Sequence, residues 1–308
     1  ENDNERNRKL NKERENARRI LLTQLLDRNI QPLVCSQNYK EEDYLFKNDV
    51  IYVDAPKISV NHARNVLHQE FGKLEDKHDL VLCIDDDHFF DEIFYQRVNL
   101  LDYFEYLHSN MDKFDILHLT RNGGSPFTTG LEKKHPWKSN RDELIHKENR
   151  NGMFALCAYF INYSKYSNFN YDFVGLVFEQ EYMVLESIRQ KYRIYSTNKP
   201  ITDQPYKIPS VLRRSYKENG TPFDEQFINN PIILDYLINT IKVNEFVPEF
   251  DENNFKYHPP LWIKIVKNYI NQIQPEPIGI DFRYNLGLYT DEMKKNISEY
   301  NKKFDKLK

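Results

Sequence analysis

Residues 79–90 read DLVLCIDDDHFF: an unbroken apolar run from Leu80 to Ile84 that stops at three consecutive aspartates. A short run without polar alternation fits a strand covered on both faces, as in a parallel sheet flanked by helices. Its C-terminal end is where open α/β sheets hold their ligands. Side chains alternate along a strand, so Asp85 and Asp87 point to one side and two carboxylates can reach one divalent ion or its water shell. Oxygen ligands of this kind suit Mg2+ or Mn2+, which neutralise a diphosphate and stabilise it as a leaving group. The triplet equally fits an acidic strand-to-loop turn that holds nothing, so its surroundings have to carry the assignment.

Upstream, residues 1–19 are strongly charged and fit a solvated helix start or arm, and Ile20, Leu21, Leu22, Leu25 and Leu26 then complete a helical face. QPLVCSQN (31–38) and DVIYVDA (49–55) read as strands. Val60, Ala63, Val66, Leu67 and Phe71 recur at helical spacing after a capping Ser59. The order helix, strand, strand, helix, strand predicts an α/β sandwich with a mostly parallel, Rossmann-like sheet flanked by helices.

Downstream, residues 93–111 read as helix, FDILHLT (114–120) as strand and NGGSPFTTG (122–130) as a loop. The polar residues 132–151 read as a mobile segment flanking the site. FALCAYFIN (154–162) and YRIYS (192–196) are strand-like on either side of a helix over 178–191. From about residue 200 the Pro and Asn content rises, and helical segments at 231–243, 260–273 and 289–307 predict a mainly helical C-terminal appendage, residues 201–308, on a first domain of residues 1–200. There is no internal repeat.

Composition excludes several classes. With 40% hydrophobic and 14% aromatic residues over 308 positions, most of the chain can offset its chain entropy by burial and is not disordered. Only 9 glycines, against a usual share of about 7%, argue against glycine-dependent phosphate loops, and neither GxGxxG nor a Walker A string occurs. Cys35, Cys83 and Cys157 sit singly inside apolar runs and read as buried reduced thiols. No apolar run approaches the ~20 residues of a membrane span, so the chain carries no membrane segment and a cytoplasmic location is expected. It begins at Glu1, which leaves room for an upstream signal or anchor. Enrichment in Asn, Lys, Ile and Tyr matches the AT-rich coding of many phages and giant viruses, and would make that cytoplasm a host's.

The stretch ISVNHARNVLHQEFGKLEDKHDLVLCIDDDHFF (58–90) resembles the central part of GT-A glycosyltransferases, particularly family 2, in which a helix with an Ala-Arg-Asn string, here Ala63-Arg64-Asn65, precedes the strand that delivers a DxD motif. A second block, FEQEYMVLESIRQKYRI (178–194), resembles the segment in which an acidic motif opens a helix and a Tyr-Arg-Ile-like strand follows. The two cover roughly residues 20 to 200. The resemblance implies a metal-dependent transferase moving a sugar from a nucleotide-sugar donor, a UDP-sugar, to an acceptor hydroxyl. It implies that Asp85 and Asp87 hold Mn2+ or Mg2+ and the donor diphosphate, that Asp86 faces the donor's sugar or ribose, and that Arg64 pairs with a phosphate or acidic group, for which its planar fork is suited. Ser36 to Asn38 would lie near base and ribose. Arg64 as a surface helix residue and Ser36 as an ordinary strand end remain the plain alternatives.

Departures accompany the match. Inverting relatives place an Asp after the helix-opening Glu as general base, whereas here the string is Glu179-Gln180-Glu181. Gln cannot take a proton, so either Glu179 or Glu181 serves, or the reaction retains configuration and needs no such base. Glu179 to Met183, with Gly279-Ile280-Asp281-Phe282, is also similar to family 60-like polypeptide GlcNAc-transferases, which are retaining. The family's first strand should precede the helix at 10–28, so the domain is expected to start upstream of residue 1. Some GT-A enzymes add a C-terminal histidine to the metal shell. His258, in KYHPPLW, is the candidate here, against a structural role before Pro-Pro, and His88 is a second.

Acceptor contacts fall to Trp137, whose ring can stack on a sugar or base, and to Asp115, His118, Arg121 and the 122–130 loop. Basic groups recur at Lys133, Lys134, Lys138 and Arg141 and at Lys207, Arg213, Arg214 and Lys217. On a chain of net charge −4 they suit a phosphate-rich acceptor such as a hydroxymethylated DNA base, although solvated surface charge is the ordinary explanation. A protein or glycan hydroxyl is the other acceptor class. The rivals are a metal-dependent nucleotidyltransferase and an inactive nucleotide-sugar-binding module of the same architecture.

Overall fold

The computed structural model describes residues 3–37, 40–55, 60–74, 79–121, 137, 143–149, 156–171, 178–204, 230–252, 259–273 and 281–286. The chain opens with α1 (Asp3–Leu26), β1 (Leu33–Gln37), β2 (Ile51–Ala55), α2 (Val60–Lys73) and β3 (Leu80–Ile84), matching the expected order. It continues through β4 (Phe89–Phe90), α3 (Glu92–Arg97), α4 (Leu100–His108), β5 (Ile116–His118), β6 (Leu144–Glu148), β7 (Ala158–Asn162) and the short α5 (Tyr163–Tyr166). Then come α6 (Glu179–Arg189), β8 (Ile194–Thr197), β9 (Thr202–Asp203), α7 (Pro231–Asp235) running into a π-helical turn (Tyr236–Thr240), α8 (Val243–Phe246), α9 (Pro259–Ile273) and β10 (Phe282–Tyr284). The expected helix over 93–111 is two helices, because Val98 is extended and Asn99 caps α4 by accepting from the Leu101 N–H.

The architecture is α/β with a six-stranded sheet in the order β10-β6-β8-β5-β7-β3, helices lying on both faces. The expectation of a mostly parallel sheet is corrected. Within this sheet β5 and β8 pair in parallel, whereas β3 with β7, β7 with β5, β8 with β6 and β6 with β10 pair antiparallel. The parallel pair β1 and β2 forms a small sheet of its own. An apolar run reports that both faces are covered, and antiparallel strands inside a two-sided core are covered just as fully.

Alternation along β7 shows this directly. Tyr159 and Ile161 enter one core with Met183 and Leu185 of α6 and Ile265 and Tyr269 of α9, while Ala158 and Phe160 enter another with Phe94 of α3 and Leu100 and Tyr103 of α4. Burial of side chains this large contributes roughly 1.5–3 kcal/mol each. The stretch 132–151, expected to be mobile, contains β6, with Leu144 and His146 fully buried. The C-terminal region is helical where described, and it also supplies β10 as an edge strand beside β6.

Helix α1 joins the layers because its apolar face is split. Leu21 and Leu25 pack with Phe90 and Phe94, whereas Leu22 packs with Leu45 and Val50 next to the small sheet. Gln24, 3% exposed, clamps the strand after the aspartates: its Nε2 donates to the Phe90 carbonyl at 3.0 Å, and the Phe90 N–H donates to its Oε1 at 2.8 Å. Gln24→Leu keeps the bulk but strands both backbone groups, and is expected to lower stability by about 1–3 kcal/mol, measured as a shifted urea midpoint. A midpoint equal to wild type would show that the clamp does not hold the turn.

Candidate functional site

Residues 85–88 turn tightly off the end of β3. The Asp85 N–H donates to the Cys157 carbonyl at 2.8 Å, which extends the β3–β7 ladder by one bond, and the His88 N–H then donates back to the Asp85 carbonyl at 3.0 Å. That reversal brings one donor atom each of Asp85, Asp87 and His88 within 4.8 Å of one another. Asp86 is exposed and is not part of this group. Asp85 and Asp87 come together through this turn, which also adds His88, and not through strand alternation, since β3 ends at Ile84.

Each member is held by named partners. His88 is 2% exposed, and its Nδ1 lies 2.8 Å from Asp87 Oδ1. The other Asp87 oxygen accepts from Gln204 Nε2 at 2.8 Å, and Gln204 Oε1 accepts from Arg121 Nη1 at 2.6 Å. Arg121 therefore reaches Asp87 through Gln204, a residue that carries no sequence signal because it lies 117 positions away. From α2, Arg64 Nη2 lies 3.4 Å from Asp85 Oδ1, and the Tyr166 hydroxyl donates to the Arg64 carbonyl at 3.3 Å.

Glu179, on the first turn of α6, is electrostatically coupled to Arg64 and Asp85; Glu181 is buried in the same turn. Three polar atoms around this cluster are buried without a hydrogen-bond partner: Arg64 Nε, His88 Nε2 and Glu179 Oε2. Buried polar atoms of folded proteins are nearly always bonded, so such atoms on three neighbouring side chains are unusual.

The electrostatics follow from crowding. Desolvation raises Asp85 to about 6, with Asp87 and Asp86 adding to the shift and Arg64 and His88 opposing it. Burial alone would raise Asp87, but the hydrogen bond from His88 overrides it and leaves Asp87 below its usual range. Burial raises Glu179 against the pull of Arg64, and so makes it a better proton acceptor near neutrality. Burial works against the charge of Arg64, and Tyr159 and Asp85 more than offset it.

The other expected residues fall in several places. Ser36, at the C-terminal end of β1, donates to Asp54, which also accepts from the Tyr44 hydroxyl at 2.6 Å; these bonds lower the Asp54 carboxyl. Trp137 sits between Arg97 and Lys199, which lie 5.2 and 6.0 Å from its ring centre, and its Nε1 donates to the Pro200 carbonyl at 2.8 Å. Asp115 is paired with Arg193 at the N-terminal ends of β5 and β8, the edge of the sheet opposite the aspartates, and is corrected from an acceptor contact to a structural ion pair. His118 is fully buried and pushed down to about 3 by burial, with Arg121 adding. Arg213, Arg214 and His258 lie outside the described residues, as do the 122–130 loop and the other basic positions at 133, 134, 138, 141, 207 and 217.

An aspartate pair beside a buried imidazole is a donor set of the kind that can hold a divalent cation. No described helix is long and apolar enough to cross a membrane. No protein-family model and no curated protein matches the chain. Among solved structures, the crystal structure of A197 from STIV aligns over 54% of this chain and 80% of that one, at 17% identity and a TM-score of 0.32. A likeness at that distance bears on neither fold nor activity.

The Asp87–His88 pair sets a pH dependence. Burial would lower His88, but its bond to Asp87 raises it from 6.5 to about 10. A folded value above the unfolded one stabilises fully below the unfolded value and is lost as pH rises through the folded one. In chelator, the melting-temperature difference between wild type and His88→Asn should be largest at and below pH 6.5 and should shrink toward pH 10. A difference that does not change with pH would rule out the ion pair as its source.

Proposed function

We propose that the chain is a metal-dependent glycosyltransferase of the GT-A type, moving a sugar from a nucleoside-diphosphate donor, a UDP-sugar, to an acceptor hydroxyl. The observation that carries this reading is the meeting of Asp85, Asp87 and His88 with Arg64 and Glu179 at one end of the sheet, where three buried polar atoms have no partner. The GT-A assignment of the frame belongs to the same proposal. It is supported by the Ala63-Arg64-Asn65 helix, which brings Arg64 against the DxD carboxylate, and by α6, which brings Glu179 to the same cluster.

Asp85, Asp87 and His88 would hold the ion, Mn2+ or Mg2+. When bound, it neutralises the diphosphate and makes it a better leaving group. Arg64 would bring its unpartnered Nε to a donor phosphate or hydroxyl while its Nη2 holds Asp85 in place. In the transfer, the acceptor oxygen bonds to the anomeric carbon as the bond from that carbon to the phosphate oxygen breaks, and the electron pair leaves with the diphosphate. The acceptor proton passes to Glu179, whose free Oε2 is available to take it. Arg121, linked to Asp87 through Gln204, lies at the same end and is placed for the acceptor side.

Asp87→Asn should abolish Mn2+-dependent UDP binding in calorimetry while near-UV dichroism remains native. Unchanged nucleotide affinity would remove the assignment. A requirement for a nucleoside triphosphate in place of a nucleotide sugar would instead indicate nucleotidyl transfer.

Glu179→Gln should slow turnover by roughly 10²-fold or more if this carboxylate takes the acceptor proton, and Glu181→Gln should change it little. Near-normal turnover in Glu179→Gln would take the base role from Glu179.

A further inference from the structure

We infer that Arg14 of α1 is a phosphate-binding residue, reaching the donor diphosphate from the α1 side of the aspartates; this rests on the donor and ion-holding roles proposed above. Nothing local marks Arg14, because it sits in a charged stretch that reads as solvated. Its place follows from the register in which α1 lies along the chain that leaves the aspartate turn.

Several contacts fix that register. Arg28, just past the end of α1, holds its guanidinium 4.9 Å from the centre of the Tyr95 ring. One turn back, Gln24 engages both backbone groups of Phe90, and Leu25 and Leu21 pack with Phe90 and Phe94. Arg18 and Arg14 each precede one of those leucines by about two helical turns, and so continue the same face. Moving back along both segments together, this face comes opposite the turn itself. Arg14 is electrostatically coupled to Asp86 and Asp87, and Arg18 to Asp86. Arg18 is 8% exposed, and its Nη2 donates to the Asp43 carbonyl at 3.3 Å, which anchors this stretch of α1 to the segment before β2. Arg14, one turn farther on, is half-buried and makes no hydrogen bond or contact ion pair with any described residue.

A guanidinium held in this way keeps its planar fork of donors for a ligand, and that fork matches a phosphate. A nucleotide whose diphosphate sits on an ion between Asp85 and Asp87 carries its phosphates past a cation that faces those carboxylates. The plain alternative is that Arg14 only offsets the negative charge of the triplet.

Calorimetry on the full chain at saturating Mn2+ separates the two. Arg14→Gln should weaken UDP binding by roughly tenfold or more, the effect of losing a charge-assisted bond to phosphate, while uridine, which has no phosphate, binds as before. Arg14→Lys keeps the charge and loses the fork, so it should recover only part of the loss. UDP affinity equal to wild type in Arg14→Gln overturns the inference, as does an equal loss for UDP and uridine. Full recovery in Arg14→Lys overturns it in favour of charge alone. A wild type that binds Mn2+ but not UDP removes the donor reading itself, a result distinct from any of these. Should Arg14→Gln not fold, Arg14→Lys decides: a loss confined to UDP supports the role, and unchanged affinity rejects it.

Discussion

Three adjacent aspartates repel one another, and at separations of a few ångströms in partly desolvated surroundings that repulsion amounts to several kcal/mol. The arrangement at the end of β3 depends on how it is offset. Arg64 approaches Asp85 from α2, His88 pairs with Asp87 inside the turn, and Asp86 is left to solvent. Arg64 and His88 oppose the rise that burial causes at Asp85, and His88 helps bring Asp87 below its usual range.

That turn needs a rigid base, which β7 provides. Its antiparallel ladder with β3 ends at the bond from Asp85 to Cys157, so the position of the carboxylates is fixed by backbone pairing. Behind it, Tyr159 and Ile161 are locked in one core and Ala158 and Phe160 in the other. Helix α6 starts at the site with Glu179 and runs away from it into the same packing as α9. On the opposite side the Gln24 clamp secures Phe90, the residue just beyond the turn. The clustered side chains thus come from a turn, from the start of α6 and, for Arg64, from within α2, and the elements behind them carry the stability.

Some of this was open to reading from the residues. The first five elements appear in the expected order, because each has an apolar pattern of one clear period. Strand direction did not follow from the same patterns, since the apolar runs of β3 and β7 record burial on two faces and nothing about the partner's orientation. Strand β6 was obscured by His146, which looks polar in sequence. In the fold it is buried, pushed down to about 3 by burial, bonded to the Tyr103 hydroxyl at 2.9 Å and stacked on Phe282. A neutral buried histidine serves there as an aromatic core residue.

The sequence by itself determined that an apolar strand runs into three aspartates; the turn that follows Ile84, and not strand alternation, groups Asp85 with Asp87. The sequence also determined that Arg64 rides a helix and that a carboxylate opens the helix after residue 178. Only the tertiary structure decided that these meet. The contact of Arg64 with Asp85, the coupling of Glu179 to both, and the line from Arg121 through Gln204 to Asp87 join residues between 21 and 117 positions apart. Such distances along the chain are closed by packing on both faces of one sheet, and no local pattern encodes which side chains that packing brings together.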